Sequence, residues 1–168
     1  MTQRTLHRGF CIDTSALIDL WRRFYSPDVF PSLWDDLKKI IDQGLLVAPK
    51  EVLEELESYH DKKDPLLIWA KTHKKMFIEL DKDQQKLTRD ILLLFPKLVD
   101  EKKSTPQADP FVIALALSRN WIVVTAEQPA NLGNHHEARP KIPNVCEYYN
   151  VDCIYHLLDF FREHQWKY

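Results

Sequence analysis

The order of apolar runs along this chain predicts an α/β fold in three layers, α/β/α, around a central and mostly parallel sheet. Three observations carry that expectation. Short apolar runs of strand length recur at Phe10 to Ile12, Leu45 to Ala48 and Trp121 to Thr125, and they alternate with longer segments of helical spacing. Proline, glycine or acidic residues stand at the junctions between them.

Taken in order, Phe10 to Ile12 reads as the first strand, closed by Asp13, and an apolar-periodic stretch led by Thr14 and Ser15 predicts a helix to about Phe24. Pro31 suits a first helical position, Leu33, Trp34, Leu37, Ile40 and Ile41 form a stripe, and Gly44 is placed to cap the end. Leu45 to Ala48 gives a second strand. Pro49 or Lys50 then opens a helix carrying Glu54 and Glu55, broken at His60 to Asp64. From Pro65 to about Pro96, apolar residues at helical spacing predict a helical insert of one or two helices.

Asp100 to Gln107 lacks apolar residues and reads as a mobile loop. Pro110 at a first helical position makes Asp109 the expected N-cap of an apolar helix ending near Asn120. After the strand from Trp121 to Thr125, residues Ala126 to Arg139 form a long loop, Ile142 to Tyr149 a short helix, Val151 to Ile154 a last strand and Tyr155 to Gln165 a closing helix.

With 168 residues, the chain is expected to form a single domain over 1–168, which buries roughly two thirds of the surface its unfolded chain exposes. A net charge of -2 and a pI of about 6.4 argue against a protein that coats nucleic acid indiscriminately. The cysteines, Cys11, Cys146 and Cys153, include no Cys-x-x-Cys pair and leave one unpaired in any disulfide scheme, which suits a reducing cytosol. No apolar run approaches the ~18 residues of a membrane span, and Met1 to Gly9 lacks the apolar core of a signal peptide. A cytoplasmic protein without membrane association is expected.

Four acids stand at the carboxyl ends of strands or on the helices that follow: Asp13, Glu55, Asp109 and Glu127. Ligands bind at such ends in open parallel sheets. Each acid also has an ordinary explanation. Asp109 and Asp13 could cap helices, although Thr14 and Ser15 could do so in place of Asp13; Glu55 could face solvent, and Glu127 could idle in a loop. If the four meet, two carboxylates about 5 Å apart repel by ~3 kcal/mol at an effective dielectric of 20, so the group demands a cation or a bound proton. Magnesium or manganese, hard cations that prefer oxygen, would suit it. Glu54 and Glu55 differ in direction by about 100° on a helix, and the spacing from Val52 favours Glu55.

The segments Ile12 to Ile18, Val52 to Leu56, Ala108 to Ala114 and Val123 to Glu127 resemble, in order, the four acidic motifs of PIN-domain ribonucleases. Within that superfamily the chain is most similar to a PIN-like branch, DUF4411, on an Asp-Leu-Trp-Arg-Arg stretch (Asp19 to Arg23), the Ala-Asp-Pro-Phe-Val-Ile-Ala motif and a Lys-Ile-Pro-x-Val-Cys motif (Lys141 to Cys146). The resemblance implies a PIN-like domain in which Asp13, Glu55, Asp109 and Glu127 are catalytic and bind Mg2+ or Mn2+. It further implies endoribonuclease activity on single-stranded RNA, as in the toxin of a toxin-antitoxin pair, with an antitoxin-like partner and a homodimer as associated expectations. Two departures bear on this: glutamate replaces the aspartate of the fourth motif, and the second motif offers adjacent glutamates.

Arg22, Arg23, Lys102, Lys103, Arg139 and Lys141 flank the expected pocket and are candidates for phosphate contacts, with Ser15 and Thr125 as neighbouring substrate contacts. Lys62-Lys63 and His73-Lys74-Lys75 read as solvated faces. His135-His136 with Cys146 or Cys153 lacks the paired spacing of a zinc site. A phosphatase with an aspartate nucleophile would need a second aspartate where Ser15 stands. The alternative function is a non-catalytic PIN-like module that binds RNA or a protein.

Overall fold

The structure, a computed structural model, describes residues 8–133 and 138–168. Five parallel strands form the sheet, β1 (Phe10–Ile12), β2 (Leu46–Pro49), β3 (Phe77–Ile78), β4 (Ile122–Val124) and β5 (Cys153–Ile154), in the order β3-β2-β1-β4-β5. Phe10 pairs with Leu46 on one side and with Ile122 on the other, so β1 is the central strand. Phe10, Cys11 and Ile12 are accordingly all buried, as expected of a strand covered on both faces. The chain first builds outward from β1 to β3 and then returns to add β4 and β5. Strand order therefore reverses between β1 and β4, and the carboxyl ends of these two strands flank a crevice.

Helices cover both faces, giving the expected three layers. They are α1 (Thr14–Ile18), α2 (Pro31–Asp42), α3 (Lys50–Tyr59), α4 (Pro65–Thr72), α5 (Lys82–Leu94), α6 (Asp109–Arg119), α7 (Ile142–Tyr148) and α8 (Leu157–Glu163). The largely buried α6 packs on β1, β2 and β4, with α5 and α7 against it, while α2 and α3 pack on β2. Gly44, at φ +69, turns the chain out of α2 as the sequence suggests.

The structure corrects three expectations. The predicted first helix stops being α-helical at Ile18 and continues as a π-helix over Asp19–Phe24. The stretch from 65 to 96 is not purely helical: it supplies the edge strand β3, whose Phe77 pairs with Ala48. A ring cluster ties this stretch to the helices before it, with Trp34 centred 4.7 Å from Trp21 and 5.0 Å from Trp69. Asp109 is the first residue of α6 rather than its N-cap, and Ala108, which precedes it, has no capping side chain. The region from 100 to 107 is a loop, closed on itself by Gln107, which accepts from the Asp100 N–H at 2.6 Å and donates to the Asp100 carbonyl at 2.9 Å.

Candidate active site

Asp13 leaves the end of β1 at the strand-order reversal and is 4 % exposed. It caps α1 itself, accepting from the Ser15 N–H, so Thr14 and Ser15 do not replace it in that role. Its second oxygen accepts from the hydroxyls of Ser15, at 3.0 Å, and of Thr125. These hydroxyls, expected as substrate contacts, are directed instead at the carboxylate. Ser15 Oγ also receives the Ala126 N–H at 3.0 Å, which stitches the end of β4 to the start of α1. Despite three donors, burial pushes the Asp13 carboxyl up to about 7; Thr125 opposes the rise, and the charge of Glu127 adds to it.

The other three acids line a polar cleft of about 140 Å3, together with Lys103, Arg139 and Lys141, and the buried Asp13 interacts by charge with two of them, Asp109 and Glu127. Glu55 comes from α3, where Val52 and Leu56 are buried; Glu54 is exposed. The Glu55 carboxylate accepts from Thr14 Oγ1 at 2.9 Å and the Ala108 N–H at 3.3 Å. Burial raises its pKa, with Thr14, Ala108 and the Lys103 charge opposing. Glu127 accepts from Lys141 Nζ at 3.2 Å and from the Ile142 N–H, at the start of α7, at 3.1 Å. Asn144 fixes that turn by accepting from the Lys141 N–H at 3.0 Å and holding both backbone groups of Ala130.

Asp109 differs from the others: no donor among the described residues meets its carboxylate. Burial, and then the charges of Asp13, Glu127 and Glu55, raise its pKa well above the carboxylate range; Lys141 opposes them. The fold thus brings Asp109 within electrostatic reach of the other three acids, and Glu127 likewise. Their donor type and charge fit a hard cation. They are not drawn to coordination spacing in this conformation, since no group of three His, Cys, Asp or Glu among the described residues stands ready to hold a metal.

Of the basic candidates, Lys103, Arg139 and Lys141 reach the cleft, and Lys102 does not: it borders a neighbouring hollow, shared with Arg139. Arg22 and Arg23 are turned to other partners, Arg22 to Asp64 and His60, and Arg23 to Asp19 at 3.3 Å. His135 and His136 lie outside the described residues. The cysteines are free, with Cys11 and Cys146 buried. Sequence reasoning missed Thr14, the Ala108 N–H and the Ile142 N–H as holders of the acids. Only Thr14 carried any signal, and its position beside a helix start points equally to capping.

Fold and site together define a parallel α/β protein with an acidic cleft at its strand-order reversal. The chain belongs to the family described as a domain of unknown function, DUF4411, whose model matches residues 10–168. A comparison with curated proteins finds no match. Among the described residues, no helix is long and apolar enough to cross a membrane.

Proposed function

We propose that this chain is a PIN-like, magnesium- or manganese-dependent endoribonuclease that cleaves single-stranded RNA. The observation that carries the reading is the convergence of Asp13, Glu55, Asp109 and Glu127, from four separate chain segments, on one crevice, with the Asp109 carboxylate left without a donor among the described residues. Asp13, Glu55, Asp109 and Glu127 would hold the metal, whose chemistry is to activate water and to stabilise the leaving oxygen of a phosphodiester.

The protein's own contribution is positioning and charge. Ser15 and Thr125 fix the direction of Asp13, Thr14 fixes that of Glu55, and Lys103 supplies a cation on the cleft wall for a phosphate, beside Arg139, which pairs with Asp100 at 3.6 Å and donates to the Lys97 carbonyl at 2.9 Å. The Cys-poor, disulfide-free chain suits a cytoplasmic setting, and an exposed apolar surface at Leu93, Leu94 and Tyr148 suits the antitoxin-like partner or second copy of a toxin.

The test is cleavage of single-stranded RNA by nuclease-free protein. Cutting is expected with Mg2+ or Mn2+ and should stop on chelation. The second reading, a non-catalytic module for RNA or protein, draws on one contact: Lys141 already occupies Glu127. Unchanged RNA at saturating metal, with intact fold, would favour it.

A further inference from the structure

The residues that follow β4 separate two hollows. Thr125 bonds to Asp13 and Glu127 lines the acidic cleft, whereas Ala126 and Gln128 line a second cavity of about 440 Å3. Its other walls include Phe24, Tyr25 and Tyr155, with Leu158 at the edge. The volume is that of a small-molecule site, for which about 300–1,000 Å3 is usual. Phe24 and Leu158 are 58 % and 52 % exposed, so two large apolar side chains stand uncovered at this cavity, directly beside the proposed catalytic cleft.

The two hollows differ in charge. The acidic cleft has three cations on its wall; among the described residues, the second cavity has neither lysine nor arginine on its wall. Its polar residues are Asp19, Gln128, His156 and the two tyrosines. Asp19 contributes a carboxylate that pairs with the largely exposed Arg23 at 3.3 Å, and Gln128, whose Nε2 donates to the Tyr155 carbonyl at 2.9 Å, brings its side-chain oxygen as well. Without lysine or arginine, this wall offers a phosphate less than the cations of the acidic cleft do. It suits a flat, uncharged ring that stacks on aromatic faces and presents N–H donors at one edge.

We infer that this cavity is a base subsite, which takes one unpaired nucleobase of a single-stranded RNA whose backbone crosses the acidic cleft. Guanine fits it better than uracil, because its N1–H and N2–H2 offer adjacent donors that compete with the exposed Arg23 for the Asp19 carboxylate, whereas the uracil N3–H lies between two carbonyls. The identity of the strand rests on the nuclease reading, but base binding does not require cleavage.

The test is fluorescence anisotropy with a short single-stranded RNA whose integrity is checked on a gel, compared with the same strand carrying abasic positions. Phe24→Ala combined with Leu158→Ala should raise Kd about tenfold, within the range for losing base stacking, and should make binding indifferent to abasic replacement. Both side chains are more than half exposed, so the melting temperature should hold. Phe24→Trp should retain wild-type affinity, and a G-containing strand should bind more tightly than its U counterpart.

Equal affinity of wild type and the double variant, wild-type indifference to abasic positions, or no RNA binding by wild type would overturn the subsite and leave the cavity to a protein side chain. Base-dependent binding without any metal-dependent cleavage would keep the subsite and remove the catalytic reading.

Discussion

The floor and the rim of the acidic cleft meet the same electrostatic problem with different partners. On the floor, Asp13 is buried and held toward the neutral form although Ser15 and Thr125 donate to it, and Asp109, held the same way, has no donor among the described residues. On the rim, Glu55 is held by Thr14 and a backbone N–H, and Glu127 by Lys141 and a backbone N–H. Hydrogen bonds compensate Asp13 and the rim acids only in part, and burial still raises the pKa of Asp13 and of Glu55. Asp109 is kept without such donors among the described residues, which costs stability, and the cleft is where that cost has a functional explanation.

The largest effect should come from the floor. Asp13→Asn is expected to lower metal-dependent RNA cleavage by on the order of a hundredfold or more, the scale for removing a preorganised charge. Thermal melting should show a folded variant, because Asn caps a helix nearly as well as Asp. Cleavage at the wild-type rate would mean that the floor is merely structural.

On the rim, Glu55→Gln should lose most cleavage, while Glu54→Gln, on the exposed side of α3, should keep most of it. Equal rates in both single variants and in the double variant would show that the rim supplies no ligand from α3. This pair also measures how far the sequence could be read. The three-residue step from Val52 to Glu55 is local helical geometry, and so is the start of α1 after Asp13. Likewise, β1, β2 and β4 were legible as dense apolar runs.

The contacts that sort floor from rim were not legible, since they join residues far apart in sequence. Thr14 reaches Glu55 across 41 positions and Thr125 reaches Asp13 across 112. Strand β3 is two residues long, follows a 3-10 turn, and sits among apolar residues at helical spacing, so periodicity alone could not show it. The N-cap expectation for Asp109 failed for a one-residue reason: the helix starts at Asp109, not after it.

A pH titration should expose the cost of burying these acids. The Asp13 pKa rises from an ordinary 3.8 to about 7 on folding, so folded protein binds the proton more tightly than unfolded protein. Its contribution is fully present below the unfolded value and is lost as pH rises through about 7. In chelator, stability should therefore fall by a few kcal/mol between about pH 4 and pH 8, because each tenfold difference in proton affinity between the two states is worth about 1.4 kcal/mol. Asp109→Asn, which removes a charge that meets no donor among the described residues, should raise the melting temperature at about pH 8 and weaken stabilisation by Mg2+. A flat profile, or a destabilised Asp109→Asn, would place that carboxylate among the compensated groups.

The smallest effect tests the rim through Lys141. Its ion pair with Glu127 is partly exposed, with side chains 45 % and 20 % accessible, so in stability alone it is worth no more than about 1 kcal/mol. Lys141→Met leaves the Ile142 N–H on Glu127 and removes only the ammonium. If that ammonium stands where a metal would be held, the variant should need a few-fold less Mg2+ for half-maximal thermal stabilisation, because the cation no longer displaces a lysine. If Lys141 instead serves as a phosphate contact, the Mg2+ midpoint should stay put while KM for RNA rises. The two outcomes move different measured quantities, so a single variant decides whether the rim is compensated by a group that yields to metal or by one that waits for substrate.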